Sequence, residues 1–176
     1  MRRHLTAMIA FALLGVMSGH ATAANPLLAT PAACPDQSAA GVSGARQEAA
    51  MACLVRWARR AAGVRPGRAF ARLNRSAQMK ADLIARCGRL THAACGKPWN
   101  GVFRTVGFQG LAFENLASGS GRFATPRGAM AMWLNSPLHR QALVDARVTV
   151  FGAGVRHDIM VDGGRGSVWA LHLGRP

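Results

Sequence analysis

Along this chain the spacing of apolar residues changes once, from a helical repeat to a two-residue repeat, and that change limits the fold to few architectures. Met51, Leu54, Val55, Ala58 and Ala62 recur at helical spacing, with Arg56, Arg59 and Arg60 assigned to the opposite side. They predict a helix from about Gln47 to Ala62, stopped by Gly63 and Pro66-Gly67. Trp57 in it is read as a packing residue. A second helix is expected from about Ala69 to Arg86, its seam formed by Leu73, Ala77, Ala81 and Ile84. Its alanines would let it lie close to a sheet, and Gly88 ends it. A short helix over 98–106 and a short strand over 112–117 follow. Thr125-Pro126 and Ser136-Pro137 each place a capping hydroxyl before a proline at the first helical position, marking two more helix starts. From Val148 the period becomes two: Val148–Arg156 and Ser167–Leu173 read as paired strands joined at Asp162-Gly163-Gly164. Helices lead and strands close, so the fold class is α/β, in one domain.

The first 23 residues have the layout of a secretory leader: Arg2 and Arg3, an apolar stretch from Leu5 to Met17, then Ala21-Thr22-Ala23. That stretch is shorter than the roughly 20 residues a bilayer-spanning helix needs. No later segment is long and apolar enough to span. Residues 24–45 read as an irregular lead before a domain over 46–175. In an exported chain, four cysteines imply two disulfides with three possible pairings. Cys87 and Cys95 bracket seven residues and are paired with each other, which leaves Cys34 to Cys53. Pro31-Ala32-Ala33 is a poor lead-in for lipidation of Cys34. The expected location is therefore extracellular or on the cell envelope.

The formal charge is +15, carried by 20 arginines and two lysines among the basic residues. Such a field favours anionic envelope polymers or lipid head groups as partners. No nucleic-acid-binding signature occurs and tyrosine is absent, so specific nucleic-acid recognition is not expected. The chain is expected to be a monomer.

Only two glutamates occur, Glu48 and Glu114. Glu114 stands in Phe113-Glu114-Asn115-Leu116-Ala117-Ser118-Gly119. Upstream is Leu90-Thr91-His92, and downstream Trp133-Leu134-Asn135-Ser136-Pro137-Leu138-His139-Arg140. A stretch Cys53-Leu54-Val55-Arg56-Trp57-Ala58-Arg59-Arg60 opens the series, and Trp169-Ala170-Leu171-His172-Leu173-Gly174 closes it. Five such pieces in this order, over about 48–174, resemble the bacterial branch of the CAP superfamily, also called the SCP domain. It takes its name from cysteine-rich secretory, antigen 5 and pathogenesis-related 1 proteins. The resemblance implies a three-layer α/β/α sandwich and a cleft lined by two histidines and two acids. It also implies an N-terminal cysteine tied to the first helix.

Carried over residue by residue, the cleft receives His92, Glu114 and His139; the second acid has no counterpart. Two imidazoles and a carboxylate are ligand types that suit a divalent metal such as zinc, and they could also serve as an acid/base set. The helix beginning at Pro137 should favour a neutral His139 ring. Asn115 is read as structural, His157 as a loop residue beside Asp158, and His172 as half-buried in the last strand. The expected role is a ligand- or metal-binding module, not an enzyme. The alternatives are a metal-dependent hydrolase and a protein that binds lipid, sterol or polyanion. No serine or cysteine nucleophile signature supports catalysis by those routes.

Overall fold

The structure is a computed structural model that describes residues 25–40 and 42–176. The leader expected over 1–23 lies outside the described residues. The elements are α1 (Gly44–Ala61), β1 (Arg68–Ala69), α2 (Ala71–Cys87), α3 (Gly101–Thr105), β2 (Leu111–Gly119), α4 (Pro126–Asn135), α5 (Pro137–Val144), β3 (Val150–Val161) and β4 (Gly164–Arg175). Short 3₁₀ turns sit at Ala94–Gly96 and Gly121–Ala124.

The strands form one sheet in the order β1-β3-β4-β2, with β1 parallel to β3 and the other pairs antiparallel. Side chains alternate across it. Trp169, Leu171 and Leu173 of β4 pack with Met51, Leu54 and Ala58 of α1, Met130 and Trp133 of α4, and Leu143 of α5. Val168 and Ala170 turn the other way, against Ala77, Ala81 and Ile84 of α2. Leu73 of α2 packs with Phe103 of α3 on that same side. The sheet is thus the middle of three layers, as expected. Each large apolar side chain buried in these faces contributes about 1.5–3 kcal/mol.

Alanines alone do not explain how closely α2 approaches. A Cβ on Gly152 would stand 2.1 Å from the backbone N of Asn74, and one on Gly154 2.3 Å from that of Gln78. Two bare positions on β3 let the helix backbone settle onto the sheet. Asn74 Oδ1 and Gln78 Oε1 then accept from Ala153 N and Val155 N at 3.2 and 3.1 Å.

Three local expectations are corrected. Arg59 is not on the solvent face of α1 but fully buried. Its guanidinium donates to the carbonyls of Arg65, Leu143, Asp145 and Val148 at 2.7–3.2 Å, satisfying the otherwise orphaned end of α5. Ser136 makes no capping bond, whereas Thr125 Oγ1 accepts from Gly128 N at 3.1 Å. His157 lies within β3, at a bulge between Arg156 and Ile159, and not in a loop.

The hairpin also runs further than its apolar alternation, because its tip pairs backbone to backbone with mostly exposed side chains. Asp162 and Gly163 close it with φ of 47° and 80°, the two positive values a two-residue type I′ turn requires. The two-residue β1 carries too little pattern to be read from sequence.

The lead over 25–40 is irregular but docked. Ala29, Cys34 and Gln37 are buried, and Arg127 of α4 bonds Ala29 O and Gln37 Oε1 at 2.5 Å. Trp57 packs here, its Nε1 donating to Pro26 O at 3.2 Å. The disulfides are Cys34–Cys53 and Cys87–Cys95, with Cα separations of 5.7 and 5.5 Å.

Candidate functional site

Glu114 is the hub. It stands in β2 directly opposite His172 of β4, so both side chains leave the sheet on the α2 face. His172 Nε2 lies 2.9 Å from Glu114 Oε2. On the same face, α2 supplies Lys80, whose Nζ is 3.3 Å from Glu114 Oε2. Lys80 also donates to the carbonyls of His92 and Trp99, at 2.6 and 3.3 Å. His92 closes the set with Nδ1 2.7 Å from Glu114 Oε1. Side chains from β4, α2 and the loop before the first 3₁₀ turn therefore converge on one carboxylate.

The electrostatics follow from that crowding. Burial alone would raise the Glu114 carboxyl. Hydrogen bonds from His172 and His92, with the positive charge of Lys80, outweigh it and hold the group at about 2. Glu114 is thus an anion that only accepts, and His92 must present Nδ1–H to it. The Nε2 edge of His92 is left facing outward, an acceptor whenever the ring is neutral, on a side chain that is 54% exposed.

His172 is fully buried, more than expected. Desolvation lowers its pKa, against the opposing pull of Glu114. The neutral ring donates from Nε2 to Glu114 and accepts at Nδ1 from the Ser76 hydroxyl, 2.7 Å away. The Leu73 carbonyl, 3.1 Å from Ser76 Oγ, competes for that one hydroxyl proton. Phe103 covers the ring, with centroids 4.3 Å apart.

His139 sits in the first turn of α5, beneath the opposite face of β2. Asn115 Nδ2 donates to His139 O at 2.9 Å, bolting that turn to the strand beside Glu114. This is the structural job expected of Asn115; its buried Oδ1 has no partner. Burial, and then the charge His92 carries when protonated, lower the His139 pKa. The direction is the one expected, but its causes are burial and His92, not the helix terminus.

His92 and Glu114 are in direct contact, while no hydrogen bond or ion pair joins the His139 ring to either among the described residues. Among those residues no three His, Cys, Asp or Glu side chains stand together as a metal-holding group. Both Glu114 oxygens are already engaged by nitrogen donors. As arranged, the site does not fit a three-ligand zinc centre.

Sequence reasoning missed Lys80 and Ser76 and underweighted His172. One signal was present: Lys80, one of two lysines, falls three residues after Ala77 in the apolar seam of α2. A charge at a buried helical position needs a partner.

A three-layer sandwich with a histidine held by a buried carboxylate at one end of its sheet is the class that fold and site define. Residues 54–169 match the family described as the Cysteine-rich secretory protein family, CAP, and the chain belongs to it. The fold is similar to that of an extracellular SCP-domain protein from Bacillus anthracis (TM-score 0.62, 15% identity, 77% of this chain and 44% of that one). It is similar too to an outer surface protein of Borrelia burgdorferi (TM-score 0.63, 17% identity, 76% and 96%). A cysteine-rich secretory protein of Staphylococcus aureus gives a TM-score of 0.57 at 15% identity, over 77% and 40%. The chain thus spans less than half the length of the Bacillus and Staphylococcus proteins. No curated protein matches it.

Proposed function

We propose that the protein is an exported binding module whose ligand meets the exposed edge of His92. The observation that carries this reading is the 2.7 Å contact from His92 Nδ1 to a carboxylate whose side chain is 1% exposed. Buried Glu114 spends its charge on fixing one tautomer and one ring orientation, which leaves Nε2 as a preorganised acceptor. A ligand offering an O–H or N–H donor suits that edge. Export is supported by the leader-like first 23 residues and the two disulfides.

The same carboxylate–imidazole pair has the arrangement of a general base, and that favours hydrolysis as the second reading. No step is assigned to a metal.

Titrating ¹⁵N-labelled protein with cell-envelope fractions tests the binding reading. Amide shifts clustered around residues 92, 114 and 139, and lost in His92→Gln, are expected. Shifts confined to other regions would sink it. Turnover of an envelope polymer, abolished in His92→Gln, would favour the second reading. Export is checked by the mass of the secreted chain, expected to begin at Ala24.

A further inference from the structure

The short helix α3 has a hollow on each side. Between it and α2 lies a cavity of about 530 Å³, with Met79, Leu83 and Val102 as apolar walls and Arg86, Lys97 and Arg104 among its polar lining. On its other side lies a hollow of about 270 Å³, formed by Trp99, Asn100, Phe103, Arg104 and Phe108 against Ala112 of β2. Arg104 lines both, and Lys97-Pro98-Trp99-Asn100 runs past them.

Two observations say what would fit. Trp99 is 42% exposed, yet it is fixed: its carbonyl is held by Lys80, and its ring meets Phe103 edge-on at 5.7 Å. A rigid, half-open indole offers a flat apolar face at little entropic cost. The charges beside it are open. The ion pairs among the described residues use Arg46, Lys80, Arg147, Arg156 and Arg165, not Arg86, Lys97 or Arg104. The one acid in the lining, Asp82, is 3.5 Å from Arg156 and accepts from Gln78 at 3.0 Å.

We propose that these two hollows form one binding site for an acidic oligosaccharide, with a sugar ring against Trp99 and its carboxylates over Arg104 and Lys97. The C–H face of a pyranose matches the indole, its hydroxyls match the Asn100 amide, and a carboxylate matches the guanidinium fork of Arg104. A purely apolar ligand would strip water from three cations without pairing them. A plain polyanion would have no use for the indole. His92 lines neither hollow, and the proposal does not depend on the reading of its exposed edge.

The probe is a tetramer of galacturonic acid, titrated in about 150 mM salt, where long-range charge attraction is screened. Isothermal titration calorimetry reports binding, so variants that lack the Trp99 indole are measured in the same way as the parent chain. Trp99→Ala and Arg104→Ala should each weaken binding by about tenfold or more, and Trp99→Phe should retain it. A neutral cellotetraose should bind at least about tenfold more weakly. Poly-L-glutamate should lose affinity in Arg104→Ala but not in Trp99→Ala. The proposal is overturned if the acidic tetramer does not bind, if Trp99→Ala leaves it unchanged, or if an uncharged aromatic peptide competes better.

Discussion

Glu114 shows how one residue can be both keystone and liability. Two buried groups, Lys80 and His172, are organised by its charge. Removing one partner of a buried pair is costly because the other charge stays behind. Glu114→Gln is expected to lose on the order of 3 kcal/mol in urea unfolding. Adding Lys80→Met should recover part of that loss, so the double variant is more stable than the sum of the singles predicts. Strict additivity would show that Lys80 does not depend on Glu114. The pH dependence has a definite sign. The folded carboxyl, at about 2, lies below its ordinary 4.5, so its contribution is full above 4.5 and fades as pH falls towards 2. Buried His172, half-buried His139 and the more open His157 are also lowered, so each begins to withdraw stability as pH drops through their ordinary 6.5. Acid unfolding should therefore start on the histidine side and steepen below 4.5. In Glu114→Gln the lower limb should flatten, and an unchanged limb would count against the assignment.

Among the elements, helix starts separate what a motif promises from what it delivers. Thr125-Pro126 and Ser136-Pro137 look alike, yet only Thr125 accepts a capping bond. Thr125→Ala should cost about 1 kcal/mol, and Ser136→Ala less than about 0.5. Equal losses in thermal unfolding would refute the distinction. The tight α2–β3 contact makes a sharper case. A methyl at Gly154 would meet helix backbone, which cannot swing aside as a side-chain tip can. Gly154→Ala should lose at least about 2 kcal/mol or fail to fold, while Gly44→Ala, with nothing within 4 Å, should be neutral. Apolar period made the long elements legible: α1, α2, α4 and the β3–β4 hairpin carry regular seams. It could not reveal that Arg59 sits inside, since a guanidinium looks solvent-bound until four backbone carbonyls are found around it. Nor could it expose the His172–Glu114 contact, which depends on a register between strands more than fifty residues apart.

Across the whole molecule the two disulfides divide their tasks. Cys34–Cys53 closes a separation of 19 residues and fastens the lead to α1, far from Glu114. Cys87–Cys95 spans only 8 and clamps the loop that carries His92. Local bracketing, together with the N-terminal cysteine that the family resemblance ties to the first helix, paired them from sequence and left the cleft half legible. His92 and Glu114 were anticipated together, but Lys80 and His172 join them only through packing across the sheet. Loop-closure entropy assigns about 3 kcal/mol to the longer bridge and about 2.5 to the shorter. Cys34→Ser/Cys53→Ser should therefore destabilise at least as much as Cys87→Ser/Cys95→Ser in urea. The site should respond in the opposite order. Without the 87–95 bridge, the loop keeps Lys80 as its anchor through His92 O but loses its covalent tie to the end of α2. Exchange of the amides over 88–97 should accelerate in that variant, and the Nδ1–H signal of His92 should broaden as its bond to Glu114 opens. The 34–53 variant should leave both signals in place and loosen residues 25–40 instead. If breaking the outer bridge disturbed His92 more than breaking the inner one, the clamp could not be what preorganises the site.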